Sequence, residues 1–314
     1  MRLPSPLAGR RRRAQGSEHP PAPFVVGVAR SSTTLLRLML DAHPELTIPP
    51  ETHFIPKLAK ALDEEPGGDV ESRRRAHALI TEHRRWPDFG LDPDELAGRF
   101  DAAEPFNASA ALRAFYGLYA EAQEKPRWGD KSPSYVRRMP KVQRALPEAH
   151  FIHLIRDGRD VALSQLEVHH GNDEVSGAAT EWVGQIKKAR RSARRLDAYT
   201  ELRYEDLVED PEPALRQVCD ECRIDFDPAM LDYHQGAEKR MAETVREFSR
   251  GEGTAISAEQ RAAQHANVAK PPQRERAGRW RRDMSTEQIA AFESVAGPLL
   301  ADLGYDLSGA EHAP

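Results

Sequence analysis

The chain has 314 residues, 39% hydrophobic and 30% charged, with 24 prolines, 20 glycines and 2 cysteines. Two cysteines exclude a disulfide-stapled secreted scaffold and fit a reducing compartment, the cytoplasm. A formal net charge of −5 excludes the basic excess of a nucleic-acid binder, so any anion site has to be local.

Residues 1–23 contain Arg10-Arg11-Arg12-Arg13 and Pro20-Pro21-Ala22-Pro23. They lack the apolar core of a secretory signal and read as a disordered tail. Phe24 to Val28 is a short β-branched run that suits a buried parallel strand. Ala29 to Thr34 is a small, hydroxyl-rich turn, and Leu35, Leu36, Leu38, Met39 and Leu40 mark an apolar helix that His43-Pro44 ends. From Phe54 to Gln123, amphipathic patterns are separated by Pro66-Gly67-Gly68, Pro87 and Pro105, as in a helical insertion. Lys125 to Asp130 is a short extended piece leading to Ser132, expected to cap a helix that Pro133 opens and that runs to about Leu146.

His150 to Ile155 is a second strand, turned by Asp157-Gly158 into a helix from near Asp160. A long helix covers about Ser176 to Leu196, Ala198 to Arg203 is a third strand, and Pro211 and Pro213 open another helix. No periodicity survives between Gly251 and Arg276, which suggests a surface loop. Ser285-Thr286-Glu287-Gln288 has capping-box spacing and starts a terminal helix to about Leu303. Alternating strands and helices predict an α/β sheet covered on both faces. No run approaches the ~18 apolar residues of a membrane span, and no nucleic-acid or membrane partner is expected.

The loop after the first strand has the chemistry of an anion cradle, because the first amides of a helix have no intrahelical partners. Gly27-Val28-Ala29-Arg30-Ser31-Ser32-Thr33-Thr34 departs from the nucleotide-hydrolase pattern G-x-x-x-x-G-K-[ST]: Ser32 stands at the second glycine and Thr33 at the lysine. Without that lysine, a kinase or ATPase lacks its main contact to the outer phosphates. Arg30 offers a bidentate fork for oxyanions instead.

Residues 24–58, FVVGVARSSTTLLRLMLDAHPELTIPPETHFIPKL, resemble the 5′-phosphosulfate loop region of sulfotransferases that use 3′-phosphoadenosine-5′-phosphosulfate, PAPS. The likeness is to the protein-tyrosine sulfotransferase branch. Ile155 to Ser164 resembles the family's 3′-phosphate motif, with Arg156 and Ser164 eight residues apart. Arg127 to Pro133, RWGDKSP, is similar to the segment with a catalytic lysine, and Arg203 to Leu207 to one whose tyrosine lies at the nucleotide. Lys270 to Trp280, KPPQRERAGRW, resembles the loop that closes over the cofactor.

The resemblance implies a three-layer α/β fold, its mostly parallel sheet carrying a P-loop-like strand-loop-helix of nucleotide hydrolase/sulfotransferase type. It implies one domain over residues 24–308, with the helical insertion at about 54–123 and the closing loop at about 251–280. Arg30, Ser31, Ser32, Thr33 and Thr34 would hold the 5′-phosphosulfate, and Arg156 and Ser164 the 3′-phosphate. Arg279, at a family lysine, and Tyr204 would add contacts. Lys131 would stabilise the leaving oxygen, Arg30 the sulfuryl oxygens, and Glu51 would take the proton of a hydroxyl acceptor. No metal is implied, since sulfuryl carries less charge than phosphoryl, and 3′,5′-ADP is the product. The acceptor expected here is a small molecule or glycan rather than a protein tyrosine. Ser32 replaces a family glycine, and Val168 stands where relatives place a further arginine.

Other readings stay open at this level. A P-loop-like small-molecule kinase or hydrolase would need the absent loop lysine, and a non-catalytic nucleotide-binding module would not need Glu51 or Lys131. Arg156-Asp157-Gly158-Arg159 also reads as an exposed, self-paired turn. Cys219 and Cys222 have the spacing of adjacent turns of one helix, and His150 and His153 flank or cap a strand. Trp86, Trp128, Trp182 and Trp280 are core or acceptor-pocket residues.

Overall fold

Strand β1 (Ala22–Val26) is buried at every residue and is the spine of the molecule. The structure, a computed structural model, describes residues 19–64, 68–167, 174–242, 248–250, 254–256 and 269–308. The Arg10 to Arg13 run, Val168 and His169-His170 lie outside them. The start of β1 corrects the expected tail boundary: Ala22 and Pro23 pair with Ala149 and His150, and the Ala22 N–H donates to the Glu148 carbonyl across 2.9 Å. Pro23, which has no N–H, is tolerated because pairing on the opposite edge of β1 begins one residue later, at Phe24.

Loop residues 27–32 join β1 to helix α1 (Thr33–Asp41). Strand β2 (Leu46–Thr47) pairs in parallel with β3 (Arg127–Trp128) as a small separate sheet. Four helices lie between them, α2 (Ile55–Glu64), α3 (Val70–Thr81), α4 (Pro93–Ala102) and α5 (Ala108–Ala122). Asp69, Asp92 and Asn107 cap the last three with side-chain oxygens that accept backbone N–H groups. Among the described residues this insertion contains no strand.

Strand β4 (Asp130–Lys131) joins the main sheet, with Lys131 opposite Val25. The expected helix from Ser132 to Leu146 is divided into a 3₁₀ turn, Pro133–Arg137, and α6 (Met139–Ala145). Pro140 explains the break: inside a continuous helix its ring would clash one turn back, and it disfavours helical geometry before it. Ser132 caps nothing with its side chain; its hydroxyl accepts the Thr52 N–H instead, at 3.2 Å.

Strand β5 (Ala149–Ile155), helix α7 (Gly158–Glu167), helix α8 (Val175–Ala193) and strand β6 (Tyr199–Arg203) follow. The four parallel strands take the order β4-β1-β5-β6. Helices α9 (Tyr204–Glu209), α10 (Pro211–Cys222) and α11 (His234–Ala242) come next. Strand β7 (Phe248–Arg250) lies just before the expected surface loop and pairs antiparallel with β8 (Thr254–Ile256) inside it; an alternation three residues long is too short to read as a strand. Helices α12 (Trp280–Asp283) and α13 (Thr286–Asp302) close the chain, the latter with the expected capping box at Ser285.

Side-chain alternation makes the layers. Phe24, Val26 and Phe151 face α2, α4, α5 and α6, while Val25, Ile152 and Leu154 face α1, α9 and α10. Phe24 meets Tyr116, Trp128 and Phe151 edge-on, and its full burial contributes roughly 1.5–3 kcal/mol. A third cluster joins Val28 and Ile155, at the carboxyl ends of β1 and β5, to α7, α8 and α13. Two glycines permit this closeness. A Cβ at Gly27 would lie 2.8 Å from the Leu154 carbonyl oxygen, and one at Gly158 would lie 2.6 Å from both Phe292 and Trp182. No helix of the described residues is long and apolar enough to cross a membrane.

Candidate active site

The anion loop lies at the carboxyl end of β1, where ligands bind in open parallel sheets. Arg30 and Ser32 both have left-handed backbone, with φ of 74° and 65°. Ser32 is the N-cap of α1, yet no side chain caps the helix, which leaves its first amides open toward the loop. The positive φ at Ser32 is the geometry that the family glycine would supply without strain. Ser31 and Thr33 are buried beneath the loop, whereas Ser32 and Thr34 are half-buried.

Arg30 donates from Nε to the Ser164 hydroxyl at 3.0 Å. The loop after β1 and the helix after β5 therefore touch directly. Arg156 is 2% exposed and is anchored to the carbonyls of Arg30, at 3.5 Å, and Arg276, at 2.7 Å. Its guanidinium lies 4.5 Å from the centre of the Tyr204 ring, and Asp160 is 3.5 Å away. The buried Nε of Arg156 has no partner. Burial, then the charges of Arg156 and Arg276, lower the pKa of Arg30 against the pull of Glu167. Burial raises the pKa of Tyr204, opposed by the same two arginines and by the Ser32 side chain. Three guanidinium groups of like sign, one with a buried nitrogen unpartnered, suit a ligand with more than one anionic group.

The turn after β5 is buried, not exposed. Arg159 is fully covered, forks onto Asp157 at 3.0 and 2.7 Å, reaches Glu293 at 2.6 Å and lies 3.5 Å over the Trp280 ring. Asp160, also fully covered, accepts the N–H groups of Gly278 and Trp280 at 2.8 and 2.9 Å. These bonds tie the 269–280 segment onto α7 and set one of its arginines, Arg276, beside Arg30 and Arg156. Sequence reasoning passed Arg276 over, although it lies three residues before Arg279 in the same basic run. Arg279 itself is held by Glu167 and Asp283, which raise its pKa, hydrogen bonding to Glu167 first. It borders the cluster through Glu167 rather than facing the loop.

A second group lies beside the start of α1. Lys131 donates to Glu51 Oε1 at 2.6 Å and reaches the Thr34 hydroxyl at 3.4 Å. His53 Nε2 lies 2.8 Å from Glu51 Oε2, and its Nδ1 lies 3.2 Å from the Ser134 hydroxyl. Burial pushes the Glu51 pKa up, but Lys131 and His53 outweigh it and hold the carboxyl well below its usual range. Burial lowers the pKa of Lys131, opposed by Glu51. Beneath them is a buried polar scaffold: Thr52 and Tyr116 each donate to Asp130 at 2.8 Å, and the Thr52 and Tyr135 hydroxyls meet at 2.8 Å. His53 was also missed from the sequence. No periodicity marks it, because the chain turns at His53, with φ of 57°, and that turn rather than an extended run brings its ring to Glu51.

The predicted residues thus divide. Glu51, Lys131 and Thr34 come together, as do Arg30, Ser32, Ser164, Arg156 and Tyr204. Arg30 belongs to the second group through its bond to the Ser164 hydroxyl. The weaker signals are structural. Cys219 and Cys222 are buried free thiols of α10, with burial pushing Cys219 up to about 11. His150 and His153 lie within β5, not at its ends, bonded to Thr200 and Tyr199, and burial lowers both to about 4. Trp182 and Trp280 are buried, Trp128 stacks on Tyr116 at 4.4 Å, and Trp86 packs on Phe89.

Comparison with known proteins shows the family and the fold. Residues 21–228 match the profile described as "Sulfotransferase family". The chain is 25% identical over 293 residues to a protein-tyrosine sulfotransferase of Drosophila melanogaster, covering 91% of this chain and 52% of that one. It therefore spans about half the length of that relative. It is 28% identical over 311 residues to nodulation protein NoeE of Sinorhizobium fredii, covering 91% and 66%. The sulfotransferase domain of the curacin biosynthetic pathway shares the fold with a TM-score of 0.58 at 21% identity, covering 93% of this chain and 100% of that domain. The corresponding domain of the Synechococcus PCC 7002 olefin synthase has a TM-score of 0.54 at 24% identity, covering 90% and 98%. With the family profile spanning well over half of its length, the chain belongs to the sulfotransferase family.

Proposed function

We propose that this protein moves a sulfuryl group from PAPS to a hydroxyl acceptor, with Glu51 as general base. The observation that carries this reading is the Lys131–Glu51 contact of 2.6 Å, next to Thr34 at the start of the anion-loop helix. An acid and a base are then available where a bond to the loop-bound group would break. PAPS supplies the activated sulfuryl group. The open amides of α1 with Ser31, Ser32, Thr33 and Thr34 hold its 5′ side. Arg156, Ser164 and Tyr204 hold its 3′ side.

Arg30 serves the sulfuryl oxygens, and its bond to Ser164 at 3.0 Å supports a further role on phosphate oxygens. Lys131 neutralises charge on the leaving oxygen. Glu51, kept ionised by Lys131 and His53, takes the acceptor proton once Lys131 turns to that oxygen. The acceptor we favour is the hydroxyl of a small molecule or glycan, reached from the side of the α2–α5 insertion. A kinase reading is disfavoured because Thr33, buried at the start of α1, stands where its lysine is required.

Calorimetric titration tests the assignment. The protein should bind 3′,5′-ADP at least about tenfold more tightly than 5′-ADP, since each tenfold corresponds to ~1.4 kcal/mol; equal affinities overturn it. Glu51→Gln should retain 3′,5′-ADP binding and lose turnover by roughly 100-fold or more.

A further inference from the structure

We propose that His53 is the positioning residue of the base: it anchors Glu51 Oε2 so that Oε1, vacated when Lys131 turns to the leaving oxygen, receives the acceptor proton. This inference rests on the reading of Glu51 as base. The two carboxylate oxygens are already distinguished in the structure, with Lys131 on Oε1 at 2.6 Å and His53 Nε2 on Oε2 at 2.8 Å. An ionised Oε2 accepts a hydrogen bond, so His53 carries its proton on Nε2. In the neutral ring the Ser134 hydroxyl, 3.2 Å from Nδ1, is then the donor to that nitrogen and favours this tautomer. Without such an anchor, a carboxylate released by Lys131 is free to rotate, and misplacement of about 1 Å is enough to cost roughly 100-fold in rate.

The backbone is built to present this imidazole. His53 has φ of 57°, in the left-handed region, at the centre of a three-residue turn closed by the Phe54 N–H donating to the Thr52 carbonyl at 2.7 Å. Both neighbours are clamped. Thr52 is 0% exposed and bonded to Asp130 and Tyr135, and Phe54 is 2% exposed in the core under the insertion. A histidine held in sparsely populated backbone geometry by two locked neighbours is over-determined, as at functional sites. Its side chain remains 28% exposed, so small solutes have access.

The test uses the full chain and three variants. His53→Gly removes the imidazole and suits the positive φ, so the fold is retained; His53→Gln keeps an N–H donor; Glu51→Gln reports on the base itself. Sulfuryl transfer from labelled PAPS to phenol and to water is followed by release of 3′,5′-ADP. His53→Gly should lower kcat roughly 10- to 100-fold with KM for PAPS nearly unchanged, and added imidazole should restore part of the loss. His53→Gln should lie between it and the parent. Nitrogen NMR of the ring should show the neutral form protonated at Nε2. A wild-type kcat in His53→Gly, a loss that imidazole does not repair, or protonation at Nδ1 overturns the proposal. If Glu51→Gln also retains full turnover, the base reading fails; if Glu51→Gln alone is inactive, this inference fails and that reading stands.

Discussion

Lys131 and Glu51 meet across 2.6 Å where the edge strand β4 ends beside the first turn of α1, so the proposed acid and base neutralise each other until a ligand separates them. The pairing has a kinetic consequence. In the free protein, Glu51 stays ionised until the pH falls well below 4.5, because Lys131 and His53 outweigh the effect of burial. Once Lys131 engages the leaving oxygen, one of the two groups that hold the carboxyl pKa down is withdrawn, His53 alone remains against burial, and the pKa rises. The acid limb of kcat should therefore lie about one pH unit or more above that of kcat/KM for PAPS, which reports the free enzyme. Superimposable limbs would show that Lys131 does not leave Glu51 during turnover.

Arg276 and Arg279 are separated in sequence by two residues and in role by their partners. Arg276 adds its charge to Arg30 and Tyr204, whereas Arg279 is held by Glu167 and Asp283. Arg276→Ala should weaken 3′,5′-ADP binding about tenfold, and Arg279→Ala by no more than about threefold, measured by calorimetry. A reversed order would mean that Arg279 leaves its carboxylates when the nucleotide binds.

Ser32 holds φ of 65° without a side-chain cap on its helix. Left-handed geometry costs a non-glycine residue roughly 1–2 kcal/mol, and glycine gives back about 0.5–1 kcal/mol in unfolded-state entropy. Ser32→Gly should therefore shift stability by no more than about 1.5 kcal/mol and preserve nucleotide binding. Ser32→Val, β-branched at a positive φ, should lose roughly 2 kcal/mol in denaturant unfolding. Equal stability of the two variants would mean that the loop is not held left-handed in solution.

Glu205 accepts the Asp157 N–H and the Tyr305 hydroxyl, both at 2.9 Å, and burial raises its pKa to about 7. A carboxyl with a raised folded pKa binds its proton more tightly when folded. Its contribution is thus favourable at low pH and is lost as the pH rises from the unfolded value through about 7. Glu205→Gln, which imitates the protonated acid, should raise Tm at pH 8 by the equivalent of roughly 1–2 kcal/mol and change it little at pH 5. A stabilisation that does not depend on pH would contradict the assignment.

The sequence by itself determined the local chemistry: the β-branched run before Gly27, the hydroxyl loop, the capping box at Ser285 and the order of the motifs. Each is written within a few residues, where backbone preference and side-chain type act together. Pro140 was equally visible, yet its break in the helix was overlooked because the apolar pattern continues across it. Strand β4 was not legible, because two residues carry no periodicity and its pairing with Phe24 and Val25 is wholly non-local.

Tertiary structure decided which charges meet. Arg30 meets Ser164, 134 positions away, and Arg276 enters the cluster through bonds that Asp160 makes to the backbone of Gly278 and Trp280. His53 reached Glu51 because a turn locked between Thr52 and Phe54 points it there. Residue type sets what a side chain is able to do. Its partner, and with it the protonation state of Glu51, depends on distance and burial, which arise only when segments remote in the chain are packed together.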